Sequence, residues 1–137
     1  MNFENKLVAI LNKDLEPGVA MNALAHMVIG FGARLGKDQL TLTDYKDADG
    51  NIYPDISKMP FIILSGKASE IKKAAKKAKE QNVASNFFTD KMTGGSYQEQ
   101  LENSAKSQED DIIFYGAVLF GEYEKVNLIT KRFSLYR

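Results

Sequence analysis

Cysteine is absent from this 137-residue chain. That excludes a disulfide framework, a thiol nucleophile and any thiolate-held metal. It also fits a reducing compartment, and a cytoplasmic protein is expected. Histidine occurs once, at position 26, so a multi-histidine metal site is excluded, and neither a metal nor a cofactor is expected. Charge of one sign is not in excess, since 18 Lys and Arg balance 18 Asp and Glu. Nucleic-acid binders carry a positive excess because phosphate contacts need cations. The balance argues against nucleic acid as a partner while leaving room for a local basic patch. The start, MNFENKLVAIL, has no basic segment followed by a long apolar core and does not read as a secretory signal. No apolar run approaches the ~18 residues of a membrane span. Repeats, low-complexity tracts and linkers are also missing.

The chain length suits one domain, residues 1–137, large enough to bury a core without staples. Leu7 to Leu11 is a continuous apolar run whose length predicts a strand buried on both faces. Asn12 to Gly18 interrupts it. Pro17 disfavours helix at Glu16, and Gly18 allows a sharp turn. Val19 to Arg34 then reads as a helix, apolar nearly all round, and such a helix is expected inside a core. Gly36 is its expected stop.

Residues 40–53 predict a hairpin or irregular excursion around Asp47-Ala48-Asp49-Gly50-Asn51. Phe61–Leu64 and Val83–Phe88 read as further strands. The helix between them has Ile71, Ala74, Ala75 and Ala78 inward, and Ser69 is a candidate cap. Ser96–Ser107 reads as a helix, Ile112–Phe120 as the longest strand, Glu122–Ile129 as a short helix and Arg132–Tyr136 as a last strand. Strands alternating with helices predict a three-layer α/β/α sandwich.

Gly18, Asn22, His26 and Gly30 recur every four residues, so they share one helix face. Asn22 and His26 are polar on an apolar rod. They either line a pocket or are satisfied by nearby backbone. His26 is the side chain whose unperturbed pKa suits acid–base work near neutrality. The Asn12–Gly18 loop leads into a helix N-terminus, where an anion is favoured, with Lys13 and Asp14 beside it. It lacks a phosphate-loop glycine pattern, and an ordinary turn is the simpler reading.

Asp90 with Thr93-Gly94-Gly95 follows the third strand. A Thr93, Asp90 and His26 set for nucleophilic chemistry is conceivable, but no nucleophile-elbow signature accompanies it. The run Lys72, Lys73, Lys76, Lys77 and Lys79 reads as a solvated helix face, with a phosphate patch as the lesser alternative. The Asp47–Asn51 segment resembles part of a calcium loop but lacks its terminal Glu, so a turn is expected.

KLVAILNKDLEPGVAMNALAHMVIGFG, ISKMPFIIL, FFTDKMTGGSYQEQL and YGAVLFGEYEKVNLITKRFSLYR together resemble the DUF2000 family of small proteins of undefined function. That family is similar in fold to the second class of peptidyl-tRNA hydrolases. The resemblance implies a mixed, mainly parallel, four-stranded sheet between helices, and a homodimer. It aligns Asp14-Leu15, Gly18 and Ala25-His26 with the hydrolases' first segment, and Asp90 with their catalytic Asp. Their essential Lys falls on Val19, their helix Gln near Ala23 and their catalytic Thr near Gly116. One of three catalytic positions is therefore kept.

Three functions follow as expectations. In the first, a small polar or anionic ligand binds a diverged site, with His26 and Asp90 as catalytic candidates and Lys13, Asp14, Gly18, Asn22, Thr93 and Gly94 as ligand-binding ones. The second is a retained hydrolase acting on peptidyl-tRNA or a related acyl ester. The third is a non-enzymatic homodimeric interaction protein.

Overall fold

In the computed structural model, which describes residues 3–137, the apolar run after Lys6 forms strand β1 (Asn5–Asn12). Leu7, Ala9 and Leu11 enter one core, and Val8 and Ile10 enter a second core on the opposite face. The pleat dictates that alternation. Burial on both faces is why the run carries no polar alternation.

β1 is the middle strand of a five-stranded sheet. β4 (Phe61–Gly66) lies parallel to it, and β6 (Phe114–Glu122) antiparallel on its other side. β5 (Ala84–Thr89) pairs antiparallel with β6 at one edge. β7 (Ser134–Leu135) pairs antiparallel with β4 at the other. β2 (Leu42–Lys46) and β3 (Ile52–Ser57) form a separate hairpin between the first helix and β4.

This corrects the expected four-stranded, mainly parallel sheet: among the described residues the sheet has five strands, and only β1 and β4 pair in parallel. A parallel pair needs a crossover packed on the sheet. Helix α3 (Tyr97–Lys106), between β5 and β6, has no buried residue. It is not such a crossover, so β6 returns alongside β5.

Helix α1 (Pro17–Leu40) starts after an extended Glu16 with Pro17 in its first turn, where the missing N–H costs nothing. Gly36, at φ 82°, interrupts it where the sequence predicts the stop. Ala20, Ala23, Met27 and Phe31 form its buried face, against Leu7, Ala9 and Leu11. Each larger side chain there contributes about 1.5–3 kcal/mol of burial.

Leu24, Val28 and Leu35 flank that face half-buried, but the outer face of α1 is open, contrary to the expectation of all-round burial. Met21 and Ile29 are 61% and 71% exposed, because no second helix packs over α1 among the described residues. By length and composition α1 also passes as a candidate membrane span, in contrast to the expectation from its apolar runs. Here one of its faces is part of the sheet's core.

Helices α2 (Ala68–Glu80) and α4 (Tyr123–Thr130) cover the opposite sheet face through Ile71, Ala74, Ala78, Val126 and Ile129. Ser69 does not cap α2. The helix already begins at Ala68 after an extended Lys67, which places Ser69 inside the first turn. The Asp47–Asn51 segment is the hairpin's turn. Asp47 accepts hydrogen bonds from the Tyr53 hydroxyl (2.7 Å) and the Asn51 side-chain amide (3.0 Å). Those bonds, with backbone N–H donors of Asn51 and Asp49, hold its carboxyl at a pKa of about 2 and raise that of Tyr53.

At the end of β1, buried Asn12 donates from Nδ2 to the Phe114 carbonyl (3.1 Å) and accepts from the Asp14 N–H (2.9 Å). One side chain thereby joins β1, β6 and the turn into α1. Asn12→Ala leaves two backbone groups without that partner, and a loss of about 1–3 kcal/mol is expected in urea unfolding.

Candidate functional site

An open cleft of about 720 Å³ lies beside β5, between α1 and α3. That volume falls in the range of small-molecule sites, about 300–1,000 Å³. Asn22 and His26 line it from α1, and Thr93 and Gly94 from the loop after β5. The chain thus brings together four of the residues its sequence singles out, across more than sixty positions.

Each wall has a local cause. On α1, the inner residues Ala23 and Met27 fix the helix rotation and leave their neighbours Asn22 and His26 exposed. Asn86 Nδ2 donates to the Met27 carbonyl (2.8 Å), and Arg34 Nη1 to the Ser85 carbonyl (2.9 Å). These two bonds tie α1 to β5. The His26 ring stands 5.8 Å from Phe88, whose ring stands 6.2 Å from Tyr115. His26 therefore sits on an aromatic row with one side open to the cleft.

The opposite wall is α3. Ser96 caps it by accepting from the Glu99 N–H (3.2 Å), while its hydroxyl donates to the Glu99 carboxylate (3.1 Å). Tyr97 and Leu101, one turn apart, face the cleft and are 73% and 48% exposed. Gln100 Nε2 holds the Gly94 carbonyl at 3.1 Å, fixing the loop to the helix. Gly94 and Gly95 have φ of 79° and 65°, a region that L side chains rarely adopt. The two glycines let the chain turn from the short 3-10 segment Asp90–Met92 into α3.

The other predicted residues lie elsewhere. Asp90 is no partner of His26. Its Oδ1 accepts from the Ile113 N–H (3.0 Å), its own N–H donates to the Ile113 carbonyl (2.9 Å), and Oδ2 is 3.5 Å from Lys91 Nζ. The carboxylate continues the β5–β6 ladder past the strand end. Lys13 donates its backbone N–H to the Gly66 carbonyl (3.0 Å). Asp14 sits in the turn held by Asn12. Gly18 is exposed in the first turn of α1, and none of these three lines the cleft.

The positions aligned with hydrolase residues fare similarly. Val19 presents an exposed alkyl group. At buried Gly116 an added Cβ would meet Met27 Cε at 3.0 Å, Leu11 Cδ2 at 3.1 Å and the Ile10 carbonyl oxygen at 3.2 Å. A threonine there has no room without repacking.

Sequence reading missed Asn86, Lys91, Met92 and the α3 stripe of Tyr97, Leu101 and Ser104. Two signals were present. Asn86 is a polar residue inside an apolar strand pattern, and Tyr97, Leu101 and Ser104 recur at helical spacing. Among the described residues, no group of three or more His, Asp or Glu is placed to hold a metal.

Sheet order and cleft define the class: a mixed α/β domain with one long helix over one face of a five-stranded sheet, two over the other, and an open site beside an edge strand. Within that class the sequence is specific. Residues 5–137 match the family described as a protein of unknown function, DUF2000, and the chain belongs to that family. Among solved structures, the protein of unknown function Atu0240 from Agrobacterium tumefaciens strain C58 has the same fold. It superposes with a TM-score of 0.83 at 22% identity, over 99% of this chain and 100% of that one. No curated protein matches.

Separate roles for Asp90 and His26 predict separate mutational signatures. Asp90→Ala removes the partner of the Ile113 N–H and is expected to cost about 1–2 kcal/mol in chemical denaturation. His26→Ala truncates an exposed side chain and is expected to stay within about 0.5 kcal/mol of the parent.

Proposed function

We propose that this protein binds a small molecule in the cleft between α1 and α3, with Asn22 and His26 as its hydrogen-bonding groups. One observation carries the reading: an amide and the chain's single imidazole, unpaired with any carboxylate among the described residues, face the Thr93–Gly94 loop across one cleft of about 720 Å³. The remaining lining gives the ligand its character. Phe88, Met92, Tyr97 and Leu101 supply apolar walls, so the ligand has an apolar body and a polar head. Lys91 is within ion-pair distance of Asp90 (3.5 Å), so a strong anion is not the natural occupant here. His26 holds or transfers a proton on a bound polar group if the site is catalytic. The affinity in fold with class II peptidyl-tRNA hydrolases belongs to this proposal and is supported by the Asp14-Leu15 and Ala25-His26 segments. So does a cytoplasmic location, supported by the lack of cysteine. Retained peptidyl-tRNA hydrolysis has less support, since Val19, Gly116 and the tethered Asp90 supply no working set.

The test is NMR screening of uniformly labelled protein against small aromatic acids, amides and alcohols. Binders are expected to shift the amides of Asn22, His26, Thr93 and Gly94, and to weaken at least tenfold with Asn22→Ala/His26→Ala. Binders that shift only residues elsewhere, or that ignore the double variant, contradict the reading. Turnover of peptidyl-tRNA would restore the hydrolase alternative.

A second reading, a homodimer, is favoured by the β2–β3 hairpin. Two-stranded hairpins are marginal on their own, yet this one exposes Tyr45, Ile52, Tyr53 and Ile56. The outer face of α1 adds Met21 and Ile29, and no charged residue occurs from Pro17 to Ala33. Part of each side chain is already covered, so these residues supply a share of the roughly 800 Å² per partner of a stable interface. Light scattering is expected to give twice the chain mass, and the monomer mass for Tyr53→Asp/Ile56→Asp. A monomeric parent at micromolar concentration ends this reading.

A further inference from the structure

The anion preference suggested by the sequence has a better home on the opposite face of the sheet. A pocket of about 210 Å³ lies where α2 meets the end of α4. Lys73 and Lys77 line it from α2, and Lys131 and Arg132 from the segment after α4. Among the described residues none of the four forms an ion pair.

The lysine run of α2 divides here. Lys72 lies over the Phe114 ring and Lys79 over the Phe87 ring, at 5.7 and 5.4 Å, while Lys76 is 3.7 Å from Glu109. Those three have partners in β5, in β6 and in the segment just before β6. Lys73 and Lys77, one turn apart, are the two that face the C-terminal segment.

A solvated helix face does not account for this arrangement. The four cations come from two elements separated by more than fifty residues, so no single amphipathic pattern explains their meeting. Stabilising the negative end of α4 does not account for it either. The opposing charges are Glu70 in the pocket, Glu80 in the adjoining hollow that Lys77 and Lys131 also line, and roughly half a negative unit at the helix end. About one and a half positive charges are left unopposed. The wall is also fixed. The Phe133 ring packs into the α2-side core, and a methyl group at Gly66 would collide with it. That contact anchors the chain beside Lys131 and Arg132.

We infer that this pocket binds the phosphoryl group of a compact small molecule: a phosphomonoester, a pyrophosphate or a phosphate ion. The volume is below that of drug-sized sites and suits such a group. A phosphomonoester carries about −1.5 to −2 charge near neutral pH, which matches the unopposed positive charge. Arg132 supplies a planar two-pronged donor, and the lysines supply point charges. The chain's zero net charge favours a confined anion over an extended polyanion.

The experiment is calorimetry with pyrophosphate, inorganic phosphate and a phosphomonoester at about 0.15 M salt, where exposed charges are screened beyond about 8 Å. Saturable binding to at least one is expected, with affinity falling tenfold or more in Lys77→Gln/Arg132→Gln and unchanged in Lys46→Gln, which lies on the hairpin. Circular dichroism melts of all three proteins are expected to agree, because the altered side chains are exposed. Binding of none of the three probes, or equal affinity in the double variant, overturns the inference. So does saturable binding of a single-stranded RNA oligonucleotide alone, which would make the patch a nucleic-acid surface.

Discussion

Burial of β1 on both faces is the constraint on which the rest of the structure depends. Val8, Ala9 and Ile10 are fully enclosed, and the strand shares hydrogen bonds with β4 on one side and β6 on the other. Its odd positions require a cover and α1 provides it. Its even positions require another, provided by α2 and α4. Both candidate sites follow from this. The cleft opens where α1 overhangs the edge strand β5, and the basic pocket lies where α2 and the chain end after α4 converge. They are on opposite faces of the sheet and draw on different side chains.

The two faces are covered unequally. Two helices close the α2–α4 side, while α1 is the one described helix on the other, helped by Met59 from the loop before β4. Helix α3, which belongs by chain order between β5 and β6, buries none of its residues. It is held through the 3-10 turn, the Ser96 cap and the bond from Gln100 to the Gly94 carbonyl. The cleft therefore has one wall built into the core and one wall supported mainly at its root. Segments with few buried apolar contacts open locally at low cost, and binding loops are often drawn from such segments.

What the sequence reveals here tracks the range of the interactions involved. The β1 run, the turn at Pro17, the interruption at Gly36 and the inner face of α2 are local patterns, and each is visible along the chain. Asn22 and His26 can be placed on one helix face because their spacing alone decides it. Which face α1 buries is not readable. Apolar residues surround the helix, so periodicity does not separate Ala23 and Met27 from Met21 and Ile29. The direction of β6 depends on α3 failing to pack, a fact about contacts that are not made. Asp90 reads as a catalytic candidate because its loop position matches one. Its engagement by the Ile113 N–H arises from a residue twenty-three positions away. The grouping of Lys73 and Lys77 with Lys131 and Arg132 is hidden for the same reason, although every member is plain in the sequence.

The central claim is that the cleft sets a fixed helix against a lightly held one. Native-state amide hydrogen exchange addresses it directly. Amides of β1, β6 and the inner turns of α1, around Ala23 and Met27, are expected to exchange only through global unfolding. Amides of α3 from Leu101 to Lys106 are expected to exchange through local opening, at least a hundredfold faster. Equal protection of α3 and α1 would mean that α3 is part of the cooperative core, and would contradict the account.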